Sequence, residues 1–243
     1  MDDKDFTCKV TELITIIDVE ETKHINQAAA IIYQAMRQKG LLHIFCTGHS
    51  HMIAEEMFYR AGGLIQVNPI LEPFLMQHEG AVRSTKFERL PGIAKIIFDS
   101  VDKKPFEPFL IVSNSGINAV PIEMAECARA NKNPVIVITS KKVSEKLTSR
   151  VSSGKHLFEL ADVVIDNHVP VGDGIIVTQY GNIGAVSTIA SAYIAQRIVL
   201  AIISHYERDG ITPTIYKSAN VDGGDEHNKG LFDEYEKRIR SLY

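Results

Sequence analysis

Phe109-Leu110-Ile111-Val112 is followed at once by Ser113-Asn114-Ser115-Gly116-Ile117-Asn118 in this chain of 243 residues. The four apolar residues predict a strand that is buried on both faces, because no polar residue alternates with them. The small polar residues after it predict a turn. A helix is predicted over 119–130, with Asn118 as its N-cap and Pro121 in the first turn, where no backbone donor is lost.

The same order of strand, turn and helix recurs along the chain. Strands are predicted at 41–46, 64–67, 134–138 and 161–165, and helices at 6–39, 52–60, 92–101, 144–151 and 182–207. Continuous apolar strands that alternate with helices are typical of parallel sheets, so we predict an α/β fold with helices on both faces of a parallel sheet. Residues 71–91 are predicted as a long connection, a kind of segment that often carries function.

The chain is predicted to form one structural domain, since no linker divides it. Residues 1–40 are predicted as a helical extension packed on the core, residues 41–210 as the core domain, and residues 211–243 as a tail with a short helix. A domain of this length can bury most of its unfolded surface, so it needs no disulfide or metal for stability.

Charge and composition exclude several classes of partner. The formal net charge of −4 gives no electrostatic reason to expect nucleic acid. Cys8, Cys46 and Cys127 are far apart and lack metal-binding spacing, which predicts reduced thiols, a cytoplasmic protein and no metal or other cofactor. The acidic start of the chain differs from a signal peptide. The most apolar stretch, 184–206, carries Arg197 near its middle, so we expect a buried helix and no membrane partner.

Two turns combine glycine with small hydroxyl residues just ahead of a helix: Thr47-Gly48-His49-Ser50, called here the first turn, and Ser113–Asn118, the second turn. A helix N-terminus offers unpaired N–H groups and partial positive charge, and glycine lets an anion approach closely. The two turns therefore predict a phosphate site. The alternative is that the polar residues only cap helices. The glycine patterns of dinucleotide-binding sites and P-loops are missing, which disfavours a dehydrogenase.

These segments resemble the SIS (sugar isomerase) domain family. The resemblance is carried by residues 111–118, 121–125 and 134–140, and by Gly48-His49-Ser50, and it covers most of the chain. Residues 220–228 resemble the tail of an uncharacterised bacterial subgroup labelled phosphoheptose isomerase. The resemblance implies a three-layer sandwich with a flavodoxin-like, five-stranded parallel sheet. It also implies phosphosugar binding and a homodimer or homotetramer with the site near a subunit interface.

The resemblance carries over to individual residues of the two turns. Ser50, Ser113 and Ser115 match serines that bind the phosphosugar, and Asn118 stands where a serine or threonine usually completes the phosphate site. The predicted binding residues are Gly48, His49, Ser50, Ser113, Asn114, Ser115, Gly116 and Asn118. Ser187 and Thr188 are added because the family places the start of the last long helix beside the sugar; close helix packing is their alternative role.

The catalytic residues of phosphoheptose isomerases are not reproduced. Those enzymes carry a histidine and a glutamate on the helix after the first turn, where this chain has Glu56 and Arg60. They also carry a histidine on the last long helix, and residues 187–196 contain none. His78-Glu79-Gly80-Ala81 instead resembles a stretch of N-acetylmuramic acid 6-phosphate etherase in which the glutamate is the acid–base residue.

An aldose–ketose isomerisation needs a base and a polar group that stabilises an oxyanion. Glu79 is the first candidate base, followed by Glu55 and Glu56, and His78 is a candidate proton shuttle; solvated surface groups are the alternative. We therefore predict a phosphosugar-binding protein, with a sugar-phosphate isomerase as the first hypothesis. A non-catalytic sugar-phosphate sensor and an etherase-like lyase are the alternatives.

Overall fold

A computed structural model describes residues 3–243, and in it five parallel strands form one sheet. They are β1 (Leu42–Cys46), β2 (Val67–Ile70), β3 (Phe109–Val112), β4 (Val135–Thr139) and β5 (Val163–Asp166), in the order β2-β1-β3-β4-β5. The α/β fold with a five-stranded parallel sheet is confirmed. Met1 and Asp2, part of the predicted extension over residues 1–40, lie outside the described residues.

One face of the sheet is covered by three helices, α1 (Asp3–Met36), α2 (His51–Met57) and α7 (Ser187–Arg208). Ile44 and Leu110, which are neighbours in register across β1 and β3, pack beneath these helices and are completely buried. The other face is covered by α4 (Ile93–Ser100) and α5 (Ala119–Ala130). Helices on both faces bury the strands twice over, which is why their sequences are continuous apolar runs.

The remaining elements are short and lie around this sandwich. They are α3 (Ala81–Phe87), α6 (Lys141–Ser144), α8 (Gly224–Tyr235), and single 3-10 turns at Gly48–Ser50, Pro73–Leu75, Gln77–Glu79, Leu157–Leu160 and Arg240–Leu242. An antiparallel hairpin, β6 (Gly174–Thr178) and β7 (Gly181–Ala185), precedes α7.

Strand β2 differs from the prediction, which placed a strand at 64–67 that ended near Pro69. The strand instead contains Pro69, which is tolerated because β2 lies at the sheet edge and needs no donor on its outer side. Leu64 is buried by a different partner, since it forms an isolated antiparallel bridge with Ile215. An apolar run shows burial but does not identify the element that covers it.

Two helix boundaries were also wrong. The helix predicted over 182–207 begins only at Ser187, because residues 181–185 pair with β6 in the hairpin, whose turn has Gly181 at a φ of 107°. The short helix predicted at 144–151 ends at Ser144, where α6 closes after one turn. The predicted connection over 71–91 is ordered, and it contains α3.

Helix α7 is, within residues 3–243, the helix that is long and apolar enough to cross a membrane by length and composition alone. Its Ile194, Ile198 and Ile202 are completely buried in the core. Arg197, in the middle of the helix, forms an ion pair with Asp18 of α1. This packing against α1 is that of a core helix in a globular fold.

A buried polar cluster joins the C-terminal segment to the opening of the sheet. Glu107 is fully buried and accepts two hydrogen bonds from the Arg238 guanidinium, at 2.8 and 2.9 Å. It also accepts from the backbone N–H of Leu41 at 3.0 Å and from the ring of His43 at 3.1 Å. Burial lowers the pKa of His43, so its neutral ring donates to Glu107 and accepts from Asn68 on its other nitrogen. The cluster fixes residues 236–239 against the core.

Candidate functional site

The first and second turns lie at the same edge of the sheet. They follow β1 and β3, which are adjacent parallel strands, so both turns stand at the carboxyl edge. The chain leaves β1 toward β2 on one side and returns to β3 on the other. This is the point in an open α/β sheet where the connections diverge and leave a crevice for ligands.

The second turn is tightly constrained. Gly116 has a φ of 62°, and a Cβ there would lie 3.0 Å from the hydroxyl oxygens of both Ser144 and Thr139. The N–H of Gly116 donates to the Ser113 Oγ at 3.3 Å, and Ser113 is buried. Only glycine combines this backbone conformation with so little space.

This turn also presents a set of free donors. Within residues 3–243, the backbone N–H groups of Ser115, Ile117, Asn118 and Ala119 have no protein acceptor, and neither does the Ser115 hydroxyl. They surround the N-terminus of α5, a helix of 12 residues. Unpaired N–H groups together with the positive end of the helix dipole form a site suited to phosphate.

Two asparagines fasten the second turn to its surroundings. Asn118 has the extended backbone of an N-cap, but its side chain makes no cap hydrogen bond. Its amide donates to Glu88 at 2.8 Å instead, and its carbonyl oxygen accepts from Arg150. Asn114 accepts from the buried Asn167 at 3.0 Å. Both predicted binding residues therefore shape the turn with their side chains, while the Asn118 N–H stays free.

The first turn faces the second across the crevice. Thr47 is buried, Ser50 is half-buried, and His49 is exposed. Within residues 3–243 no protein partner contacts the Ser50 hydroxyl, which is thus free for a ligand. Gly48 has a φ of 56° and passes close to the side chain of Gln77.

His51, directly after the first turn, is buried and was not predicted as a site residue. Its Nδ1 lies 3.2 Å from the carbonyl oxygen of Gly48, to which it donates. Burial lowers the pKa of His51 to about 4, and the nearby His78 lowers it further. The ring is therefore neutral at physiological pH, and its Nε2 has no partner among the described residues.

Glu88 joins the two turns. One carboxylate oxygen accepts from the Thr47 Oγ1 at 2.9 Å, and the other accepts from the Asn118 side chain at 2.8 Å. Its carbonyl oxygen accepts from the N–H of Val120, in the first turn of α5, at 3.0 Å. Burial raises the pKa of Glu88, against the opposing influence of the Thr47 hydrogen bond and the charges of Arg89 and Arg150. Sequence reasoning missed this residue, because nothing local distinguishes it from other carboxylates of the 71–91 connection.

The segment that carries His78 and Glu79 lies beside the first turn, next to Gly48. Both side chains are exposed, and Glu79 forms an ion pair with Arg83 at 3.0 Å. The predicted base and proton shuttle thus stand at the crevice mouth rather than in its interior. Their catalytic roles stay predictions.

The other predicted residues have partners on the α2–α7 face. Glu56 accepts from Arg60 at 2.6 Å and from Gln196 of α7 at 2.8 Å, while Glu55 is exposed. The Ser187 hydroxyl donates to Asp173 at 2.7 Å, which caps the start of α7. Thr188 beside it is half-buried. These contacts account for Glu56 and Ser187 structurally, and site roles for all four residues stay predictions.

Other polar clusters lie outside the crevice. A cavity of about 520 Å³ between α1, α6 and β5 is lined by Glu21, His24, Asp166 and His168 among others, and by no residue of either turn. Among the described residues, no group of three or more His, Cys, Asp or Glu side chains is arranged to hold a metal ion. The chemistry available at the turns is therefore that of N–H donors, hydroxyls, one joined carboxylate and nearby imidazoles.

Comparison with known proteins places this site in a wider group. The SIS domain family matches residues 5–140. A UPF0309 protein of Thermoanaerobacter pseudethanolicus is 39% identical over 240 residues, which cover 96% of this chain and 97% of the relative. A phosphoheptose isomerase of Francisella tularensis superposes with a TM-score of 0.53 at 15% identity, over 83% of this chain and 96% of that chain. The NanR protein of Vibrio vulnificus, complexed with ManNAc-6P, superposes with a TM-score of 0.55 at 14% identity, over 95% of this chain and 68% of its own. At these identities the two structures show a shared fold.

Proposed function

Because the chain belongs to the SIS domain family, and within it to the UPF0309 proteins, we propose that it binds a phosphosugar between its two turns and isomerises it between aldose and ketose forms. The observation that carries the proposal is the set of free N–H groups at the start of α5, from Ser115 to Ala119. Such a set suits a phosphate without any lysine.

The arrangement of the crevice supports one orientation of the ligand. The phosphate lies on the second turn, and the sugar extends toward the Ser50 hydroxyl and His49 of the first turn. Glu88 lies between the turns, bonded to Thr47 and Asn118, and so stands beside the sugar. An isomerase needs a base and an oxyanion-stabilising group beside the reacting carbons. Glu79 at the crevice mouth remains a candidate for the base.

A sensor without catalysis is the second candidate. The exposure of Glu55 and Glu79 and the pairing of Glu56 with Arg60 and Gln196 favour it, because none of these carboxylates is free and desolvated. NanR, which shares the fold, was solved with a sugar phosphate. An etherase-like lyase would use Glu79 at the same site.

Turnover separates an enzyme from a sensor. The wild-type protein is incubated with sugar phosphates of five, six and seven carbons, including amino and N-acetylamino sugars, and products are followed by NMR. At least one aldose–ketose pair should interconvert. Measurable binding without turnover across the panel would contradict the isomerase and leave the sensor. Release of lactate from N-acetylmuramic acid 6-phosphate would identify the lyase.

Ser115→Ala should weaken binding of the panel member that binds best by about 1–3 kcal/mol, because it removes a hydrogen bond to a charged phosphate. Isothermal titration calorimetry measures the change. Ser204→Ala is the matched control, since Ser204 is an exposed serine of α7 whose hydroxyl bonds only its own helix. If both variants keep wild-type affinity, the phosphate does not bind at the second turn.

We also propose a cytoplasmic homodimer or homotetramer. Val177 and Tyr180 of the hairpin are 82% and 87% exposed, and a patch of exposed apolar side chains supports contact with another subunit. Sedimentation equilibrium measures the mass directly. A monomer at micromolar concentration would contradict this proposal.

A further inference from the structure

Glu88 is the carboxylate closest to the predicted phosphate position for which a link can be traced through named bonds. Asn118 contributes a free N–H to the second turn and, through its side chain, the hydrogen bond to Glu88. A phosphate on the second turn therefore lies within about two residues' reach, roughly 7 Å, of the Glu88 carboxylate. Two negative groups at this distance in a partly desolvated crevice repel each other.

The surroundings of Glu88 offer it little compensation. Its hydrogen-bond partners, Thr47 and the Asn118 amide, are neutral. The two cations that act on it are Arg89, next in the chain, and Arg150, whose guanidinium is bonded to the Asn118 carbonyl oxygen. Burial already raises the pKa of Glu88 in the free protein. A further negative charge moves it in the same direction.

We propose that binding of a phosphate group to the second turn makes Glu88 take up a proton from solvent, so that the ligand is held beside a neutral carboxyl group. This inference rests on the proposed function, because it needs the phosphate on the second turn. It assigns to Glu88 a role that its hydrogen bonds to Thr47 and Asn118 alone would not require.

Protonation changes what the residue can do. An ionised carboxylate only accepts hydrogen bonds, whereas the neutral acid also donates one. With Asn118 still donating to one oxygen, the other oxygen of Glu88 can donate to an oxygen of the bound sugar. The site then holds a proton donor between the phosphate and the first turn, where an isomerase or a lyase would need a general acid.

Sulfate tests the proposal, because it has the shape and charge of phosphate but no proton to exchange near neutral pH. Sulfate is titrated into the wild-type protein by calorimetry at about pH 6, in two buffers with different ionisation enthalpies. The buffer dependence gives the number of protons taken up. We expect about half a proton or more per sulfate for the wild type and close to none for Glu88→Gln.

Glu145→Gln is the matched control, because Glu145 is an exposed carboxylate of the neighbouring segment, 3.9 Å from Lys141, and makes no contact with either turn among the described residues. It changes the net charge by the same amount and should keep the wild-type proton uptake. Circular dichroism and thermal unfolding verify that each variant is folded.

The affinity of Glu88→Gln separates an electrostatic role from a purely structural one. Removal of the charge should strengthen sulfate binding at about pH 8 by roughly tenfold, because the repulsion is gone. A residue that only holds the turns in place would give weaker or unchanged binding when replaced. If Glu88→Gln does not fold, the wild-type proton count and the appearance of a protonated-carboxyl band in its sulfate-difference infrared spectrum still decide the question.

The outcomes distinguish the two proposals. Sulfate or phosphosugar binding without proton uptake, or with equal uptake in Glu88→Gln, would overturn the inference on Glu88 and leave phosphosugar binding intact. No binding of sulfate or of any sugar phosphate would overturn the proposed function, and the inference with it.

Discussion

Replacing Gly116 with alanine is expected to weaken phosphosugar binding by about 100-fold, or close to 3 kcal/mol. A Cβ at this position would lie 3.0 Å from both the Ser144 and Thr139 hydroxyl oxygens, and the φ of 62° disfavours any side chain. The turn must shift to relieve these contacts. The shift would turn aside about two N–H groups that should face the phosphate, each with a bond to a charged group. Calorimetry with the best-binding sugar phosphate measures the loss.

Gly154→Ala is the control for backbone strain. Gly154 has a φ of 70°, close to that of Gly116, but a Cβ there would meet no atom within 4 Å. This variant should lose stability by on the order of 1 kcal/mol and keep its affinity. If Gly116→Ala binds within about threefold of the wild type, the second turn is not the phosphate site.

Glu107→Ala should lower the free energy of unfolding by about 3–5 kcal/mol. The substitution leaves the Arg238 guanidinium and the Leu41 N–H without their buried acceptor. Thermal unfolding should show a midpoint lower by roughly 6–20 °C for a domain of this size. Glu12→Ala is the control, because Glu12 is an exposed carboxylate paired with Lys9 and should contribute less than about 1 kcal/mol. Equal midpoints for the two variants would contradict the structural role of Glu107.

The effect of Glu107 should also depend on pH. Burial alone would raise the pKa of Glu107, but hydrogen bonds from His43, Arg238 and the Lys104 N–H outweigh it and hold the pKa at about 2, below the ordinary 4.5. A depressed pKa contributes stability above the unfolded pKa, and that contribution is lost as pH falls through the folded pKa. The stability difference between wild type and Glu107→Ala should therefore shrink between about pH 4.5 and pH 2. A difference that stays constant over this range would contradict the assignment.

The central part of the fold could be predicted because its signals are local. The strand at Phe109–Val112 and the helix at Ala119–Ala130 have the predicted residues, since an apolar run, a polar turn and an N-cap all lie in one short segment. Strand β2 could not be placed. Leu64 and Ile65 are as apolar and buried as a strand, but the C-terminal segment with Tyr216 and Tyr235 covers them. That contact depends on residues distant in the chain.

The candidate site divides in the same way. The donors of the second turn follow from residue types in one short stretch, so Ser113 and Ser115 were found from the sequence. Glu88 is separated from Thr47 by 41 residues and from Asn118 by 30, and only the packing of the 71–91 connection brings it between the turns. The same packing leaves Glu79, first choice on sequence grounds, exposed beside Arg83.

The bond between Arg238 and Glu107 has a consequence for how the protein is made. The two residues are 131 positions apart, so at about 5–20 residues per second a ribosome needs roughly 7–26 s to supply the guanidinium after the carboxylate has been made. All five strands of the sheet are synthesised in that interval or before it. During this time the nascent sheet can assemble around a carboxylate that lacks its cation. A chain whose synthesis stops before Arg238 would keep this defect and be a ready substrate for cellular proteases.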